Sequence, residues 1–516
     1  MGIYTWAAAL ASPILVLYLY IRSNDAKLTA LPKDLAAAFS PHRLTPEDAR
    51  KAAEELAKSP ITVDAVLPPK TGRRYIVVGG AGFLGGWIVC HLLRRGEDPR
   101  HIRVLDIRLP TRPDLTTGPA NDVDFRQVDV SDKAAVDAAF HAPWPSTGKD
   151  APAETTVFHT AANIRFYERH PDLQHLSDKV NVQGVQNILD AARAIGTSIL
   201  IYTSSGSISV RRSRFWLWPW QKEPAFFAQV ITDDDSIIPK RHEHTFSNYA
   251  ASKIKGEKLV RAANGTPSDA GGVLLTGSIR PGNGVYGPGG DILCGSYLVR
   301  QVNPTWIGSI LQNFIYVENC SLAHLCYEAR LLETMHSQGS PHPNPNLGGD
   351  AFCVTDAGPP VTYGDVYTTL HTLTDGLTVF PEMSATAMLL LSHLFELVHL
   401  ARMLPSPLSL RRLVPALNGD LVNLQPSLFA LTMVHLVWDD SRARAPPEKG
   451  GLGYEPQWTT LQGLCALVEA HKKAGGKGEE RSMGGGVSFG FASTKAGRGV
   501  ERVIEGLGVD PTTVKN

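Results

Sequence analysis

The 516-residue sequence has no excess of charge of either sign: 50 Lys and Arg balance 50 Asp and Glu. It therefore carries no electrostatic footprint for nucleic acid, and none is expected as a partner. Charged residues are few, 19% against 43% apolar, which excludes a disordered polyelectrolyte. Cysteine is scarce as well. Six are spread over the chain with no CxxC pair and no His/Cys cluster at ligand spacing, so neither a disulfide framework nor a metal site is expected. The six are expected as reduced, buried thiols. No repeat of solenoid type is visible.

Charge is wholly missing from residues 1–21, whose core reads TWAAALASPILVLYLYI before Arg22. About 20 apolar residues suffice for a helix to cross a bilayer. Trp6, Tyr18 and Tyr20 stand toward the ends, where interfacial aromatics belong. A cleaved signal peptide would need a basic leader, and none precedes the apolar run. Trp6 occupies the position where a myristoylation motif needs Ser or Thr. The expectation is an N-terminal membrane helix over residues 1–22. Arg22, Lys27 and Lys33 follow it, which places the body on the cytosolic side. A connector over residues 23–72 holds one helix, started by Thr45 as N-cap, Pro46 at the first position and Asp48 at the third.

From residue 73 short apolar runs alternate with helical stretches: RYIVVGG, HIRVLD, DFRQVDV, TTVFHTA, SILIYTS and VLLTGSI read as strands. This rhythm predicts an α/β fold, a doubly wound parallel sheet of Rossmann type over residues 73–290. The pattern then loosens into a smaller C-terminal substrate lobe over residues 291–474, and a Gly-rich tail over 475–516 reads as flexible.

Gly79, Gly82 and Gly85 lie between a strand and a helix. Glycine there permits a tight turn, close approach of backbone to a pyrophosphate, and close helix–strand packing. The following helix N-terminus offers free N–H groups to the phosphates. Asp106 ends the next strand at the spacing of a ribose-binding acid, which favours NAD, while Arg108 two residues on softens that preference. Asp129 ends the third strand and suits either an adenine edge or the N-cap of the next helix.

Tyr249 and Lys253 sit one helical turn apart in YAASK. A free tyrosine titrates near 10, and a neighbouring ammonium is expected to lower that value. Such a pair can accept an alcohol proton while hydride leaves. SILIYTSSGS would bring Ser205, or failing it Ser204, to the carboxyl end of a parallel strand, where ligands bind.

GGAGFLGG, HTAANI, VNVQGVQNILDAA, IYTSS, YAASK, SIRPGNGVYGPG and NFIYVENCSLAH occur in that order. Over residues 73–456 the chain resembles the extended short-chain dehydrogenase/reductases, and within them the 3β-hydroxysteroid dehydrogenase/isomerases and sterol-4α-carboxylate 3-dehydrogenases. The resemblance implies that Gly79, Gly82, Phe83, Leu84, Gly85, Asp106 and Ala161 line NAD and that Pro281 borders the nicotinamide. It makes Ser205, Tyr249 and Lys253 the catalytic set, with Tyr249 and Lys253 also on the cofactor, and has Asn181 support their relay. The reaction implied is NAD-dependent oxidation of the 3β-hydroxyl of a sterol, with loss of CO2 where a 4α-carboxylate is present. Val78 and Val185 stand where the family usually has Thr, and the gap between Ser205 and Tyr249 is longer than usual.

The extra stretch in that gap, RRSRFWLWPWQK, sets Arg211, Arg212 and Arg214 beside Trp216, Trp218 and Trp220. It suits a headgroup interface flanking the substrate mouth, or a lid packed on the second lobe. Residues 385–404 form a second apolar stretch, read as a membrane-surface helix or as core of that lobe. His371, His393 and His399 lack metal spacing. Expected partners are a sterol or other lipid-like molecule, the endoplasmic reticulum membrane, and a second copy or another sterol-pathway enzyme. The competing readings are an oxidoreductase or epimerase of the same fold acting on a secondary metabolite or nucleotide sugar, and a membrane-tethered binding protein without catalysis.

Overall fold

The computed structural model describes residues 3–145, 154–269, 272–336, 344–404, 414, 416–417 and 419–476, with side chains from residue 12 onward apart from that of 420. The flexible tail expected from residue 475 lies almost entirely outside the described residues.

Five parallel strands build the first half of a sheet: β1 (Arg74–Val78), β2 (Ile102–Asp106), β3 (Asp124–Gln127), β4 (Thr155–His159) and β5 (Ile199–Thr203). A short β6 (Ala228–Ile231) stands apart, β7 (Val273–Pro281) and β8 (Ala351–Val354) complete the sheet, and β9 (His435–Trp438) pairs in parallel with β6. The strand order is β8-β7-β5-β4-β1-β2-β3, all in parallel register. Order reverses between β1 and β4, whose ends meet as Val78 opposite His159. Ligands bind in the crevice beyond such a switch point. The strands are nearly continuous apolar runs because helices cover both faces; β2 is buried at all five positions.

In chain order the helices used below are α1 (Ile3–Leu28), α2 (Pro46–Lys58), α3 (Phe83–Arg94), α4 (Val185–Ala194), α5 (Asn248–Ala262), α6 (Val317–His336), α7 (Tyr363–Leu373), α8 (Ala385–Met403), α9 (Pro426–Thr432) and α10 (Thr460–Lys473). α2 starts with a reciprocal capping box between Thr45 and Asp48. Its Ala49, Ala52 and Leu56 are buried against α7 and α10. α3 is buried from Phe83 to Leu92 apart from Leu84, since it is caught between the sheet and α6, with His91 Nδ1 2.9 Å from Ser321 Oγ. The second lobe has a large core of its own, including Tyr286, Phe314, Tyr363, Phe429 and Trp458.

Among the described residues no helix is long and apolar enough to cross a membrane, so the spanning helix expected over residues 1–22 is not found. α1 continues through Arg22, Asn24, Asp25 and Lys27, and its last turns are polar and anchored on the body. Asn24 is buried and donates to the Phe215 carbonyl and to Thr386 Oγ1, and Asp25 accepts from the Thr386 N–H at 2.7 Å. The six cysteines are free and buried.

Candidate active site

The glycine turn closes on itself before any ligand is considered. Gly79 lies at φ +85°, its N–H donates to the Leu105 carbonyl at 2.7 Å, and Gly82 N–H returns to the Gly79 carbonyl at 3.0 Å. A Cβ on Gly79 would sit 2.6 Å from Thr160 Oγ1, and one on Gly85 would run into the Gly79 carbonyl, so both positions exclude any side chain. Gly82 caps α3 without a side-chain hydrogen bond, leaving the first N–H groups of the helix to a ligand. Thr160, whose hydroxyl donates to the Val78 carbonyl at 2.9 Å, puts a hydroxyl beside the turn although Val78 itself has none. The sequence reading missed Thr160; its place directly after β4 was the available signal.

A cavity of about 930 Å³ runs from this turn into the second lobe. Gly79, Gly82, Phe83, Leu84, Gly85, Asp106, Asp129, Ala161, Ser205, Tyr249, Lys253 and Pro281 all line it. Asp106 is buried at the end of β2 and accepts the Arg108 N–H at 3.2 Å. Asp129 closes a turn by accepting both the N–H and the hydroxyl of Ser131, at 2.9 and 2.7 Å. Burial opposes it, but those bonds hold its carboxyl below the ordinary range. It is not the N-cap, which was one of its two expected roles. The helix begins later, at Lys133, and Asp132 caps it by accepting from the Ala135 N–H.

The donor set fits a dinucleotide. The turn is crowded enough to demand glycine, the helix N-terminus has uncapped N–H groups, and an acid, Asp106, ends the neighbouring strand in the same cavity wall. Asp106→Ala is therefore expected to weaken NAD binding by roughly tenfold to a hundredfold, the worth of a charge-assisted hydrogen-bond pair. Titration of the purified protein with NAD, read by protein fluorescence, checks this; an unchanged Kd would remove Asp106 from the site.

α5 carries the chemistry. Ser247 caps it by accepting from the Ala250 N–H, which fixes Tyr249 in the first turn and Lys253 one turn on. Lys253 is buried; its Nζ donates to the Thr203 carbonyl at 2.6 Å and lies 4.1 Å from the centre of the Tyr202 ring. Burial lowers its pKa to about 7, against a raising influence of Glu257. Burial likewise pushes the Tyr249 phenol up to about 12, against a lowering hydrogen bond with Ser205. The raised value corrects the expectation that Lys253 sets a low tyrosine pKa. Its Nζ is turned toward the end of β5, and desolvation outweighs the remaining attraction.

Ser205 follows β5 and shares a 2.7 Å hydroxyl contact with Ser207, leaving it between Ser207 and Tyr249. Ser204 also lines the cavity, but its hydroxyl is buried with no partner among the described residues. Asn181 is not in the cavity wall. It sits in a π-helical turn, Lys179–Gly184, its Oδ1 accepting the Asn163 N–H at 2.8 Å and its Nδ2 donating to Ser252 Oγ at 2.9 Å. It is a positioning residue: it ties the cavity wall at Asn163 to α5. Arg280, fully buried, does the same from the other side. Its Nε bonds Glu257 Oε2 at 3.0 Å and its Nη2 bonds Asp235, locking α5 to β7 beside Pro281. The substrate end of the cavity is walled by Phe166, Tyr297, Trp306, Tyr363, Tyr367 and Phe380, a set the sequence reading did not single out.

The extra RRSRFWLWPWQK stretch does not line the cavity. Phe215 and Leu217 are buried in the second-lobe core, while Trp218 and Trp220 are exposed and stacked 5.3 Å apart. The histidines are satisfied by neighbours: His371 by the Thr378 carbonyl, His393 by Trp216 and Glu396, His399 by Glu168.

Residues 76–377 match the model of the 3-beta hydroxysteroid dehydrogenase/isomerase family. A 3 beta-hydroxysteroid dehydrogenase type 7 of Mus musculus is 32% identical over 302 residues, covering 56% of this chain and 70% of that protein. The 3beta-hydroxysteroid-dehydrogenase/decarboxylase isoform 1 of Arabidopsis thaliana is 28% identical over 421 residues, covering 78% and 81%. Among solved structures, an epimerase of Methanothermobacter thermautotrophicus superimposes with a TM-score of 0.51 at 16% identity, covering 78% of this chain and 93% of that one, a likeness of fold.

Proposed function

Because the chain belongs to the 3-beta hydroxysteroid dehydrogenase/isomerase family, and so is an oxidoreductase acting on CH–OH groups, we propose that it oxidises the 3β-hydroxyl of a sterol to the ketone with NAD. The observation that carries this reading is one continuous cavity joining the glycine turn and the Ser205–Tyr249–Lys253 set to an aromatic chamber. That chamber suits a rigid apolar ring system, and Arg165, a basic residue of the wall on that side, is already held by Glu168.

When bound, NAD supplies the hydride acceptor. Ser205 Oγ holds the substrate oxygen, and Tyr249 Oη takes the hydroxyl proton as the C3 hydride departs, so that a secondary alcohol gives a ketone and one proton. The phenol keeps its own proton in the resting protein, with its pKa pushed to about 12. Only the fraction that has lost this proton to solvent can take the substrate's, so the reacting form is scarce at neutral pH and grows as pH rises. Lys253 holds the end of β5 through the Thr203 carbonyl and sets the charge behind the tyrosine. A 4α-carboxyl, if present, is lost afterwards as CO2, because the new ketone makes the substrate a β-keto acid. The decarboxylase in the name of the Arabidopsis relative supports that step.

The body works at the cytosolic side of the endoplasmic reticulum membrane; six unpaired, buried thiols suit that reducing side. NADH formation by the purified full chain is expected with 3β-hydroxysterols, with CO2 released only from 4α-carboxysterols, and not with UDP-sugars. Turnover of UDP-sugars alone would overturn the assignment. Digestion by protease added outside sealed microsomes checks the side.

A further inference from the structure

Three elements distant in sequence present apolar side chains to solvent side by side. In α1, six consecutive residues from Ile14 to Leu19 are each at least 56% exposed. Six residues turn well past one full circuit of a helix, so this shaft is apolar and uncovered all round, a condition that suits lipid and not one protein face. Below it, α1 is stitched to the other two elements. Asn24 bonds the Phe215 carbonyl, the Leu217 N–H and Thr386, and Lys27 Nζ bonds the Trp218 and Pro219 carbonyls at 3.4 and 3.0 Å. The tryptophan loop thus stands at the foot of the shaft, with Trp220 75% exposed. Exposed Arg22, Arg214 and Lys222 lie near in sequence to these apolar groups. Aromatic and basic side chains together suit the headgroup layer.

α8 supplies the third part. Its Met388, Leu389 and Ser392 are buried, while Leu390, Leu394 and Leu397 line the opposite side at helical spacing, each more than half exposed. The buried side of α8 holds the cavity wall. His399 contacts Glu168, which clamps Arg165, and Glu396 receives two hydrogen bonds from Arg169, at 2.5 and 2.6 Å. The Ile164–Phe166 segment next to these residues lines the cavity, and Ile164 is part-exposed at its rim. α8 also packs on α9, whose Leu428 and Leu431 line the same cavity.

We propose that the α1 shaft, the Trp218–Trp220 loop and the outer face of α8 form one docking surface for a lipid bilayer, and that substrate passes from the bilayer into the cavity at the Ile164–Phe166 rim. The docking surface stands on the exposed residues alone; the entry route rests on the lipid-substrate reading above. This surface holds the chain at the bilayer through apolar side chains with basic groups beside them.

The test uses the full chain with phosphatidylcholine vesicles containing some phosphatidylserine, in a flotation assay. The wild type is expected to float. Trp218→Ser/Trp220→Ser, both already exposed and safe for folding, and Leu390→Ser/Leu394→Ser/Leu397→Ser should each lower vesicle affinity by roughly tenfold or more. NADH formation from sterol embedded in the vesicles should fall in step, while a steroid alcohol dissolved with cyclodextrin is oxidised at an unchanged rate. Wild-type protein that stays off the vesicles, or variants that float as it does, would overturn the proposal. So would a wild-type dimer that the variants turn into monomers without any vesicle binding, since the face would then belong to a second copy. Flotation that depends on these five residues, with no steroid oxidised, would sink the assigned reaction and leave the docking surface standing.

Discussion

Tyr249→Phe is expected to lower kcat for sterol oxidation by roughly a thousandfold, within the range general-base catalysis contributes, while NAD affinity changes far less. The substitution removes one oxygen from a half-buried ring and leaves the α5 backbone, its Ser247 cap and the Lys253–Thr203 bond as they are. What is lost is the acceptor for the alcohol proton. With the wild-type phenol pushed up to about 12, the ionised fraction at neutral pH is small and grows about tenfold per pH unit. Wild-type kcat should accordingly rise with pH through the neutral range, and the variant's residual rate should lose that slope. Steady-state NADH formation across that range measures both. A variant with wild-type turnover would place the base elsewhere, and Ser204, whose buried hydroxyl has no partner among the described residues, would be examined first.

The residues that announce this site in the sequence are those whose role is local. Gly79, Gly82 and Gly85 are required by a turn of a few residues, and Tyr249 and Lys253 by one helical turn, so spacing alone points to them. Strand alternation and run length likewise predict the parallel sheet, because a strand covered on both faces is apolar throughout. The rest depends on what the chain brings together from afar. Asp129 and Asp132 are equally good N-caps by type, and only the starting point of the helix at Lys133 decides between them. Asn181 reads as a catalytic relay by motif, yet the π-helical turn points it at Asn163 and Ser252. Arg280 pairs with Glu257 across 23 residues and is silent in the sequence as a brace. The aromatic chamber draws on residues from Phe166 to Phe380, where the periodic signal has already faded. The uncharged N-terminal stretch is a further case. Its apolar run is plain in the sequence, whereas the bonds of Asn24 and Asp25, just past it, to Phe215 and Thr386, which hold the end of the helix to the body, are not.

Lys253→Met should separate stability from function. The lysine is buried with one carbonyl partner and a ring beneath it, and its folded pKa of about 7 lies well below the ordinary lysine value of 10.5. Between those two values the unfolded chain binds a proton that the folded chain does not. Stability therefore increases as pH rises through that window, and below about 7 the full penalty is present. The penalty is of the order of several kcal/mol, partly offset by the hydrogen bond to Thr203, so methionine of similar length is expected to raise stability at pH 7 by roughly 1–3 kcal/mol. In a thermal scan this is an upward shift of a few degrees at pH 7 that closes as pH approaches 10. Turnover should meanwhile fall by roughly a hundredfold to a thousandfold, since the charge behind Tyr249 and the brace on the end of β5 are both removed. A variant that melts below the wild type at pH 7 would mean that the ammonium is stabilised in the fold, and the buried-lysine argument would fail. One that melts higher and still turns over would show that the tyrosine works without it. Loss of activity together with a gain in stability is the pattern of a group kept for its chemistry at a cost to the fold.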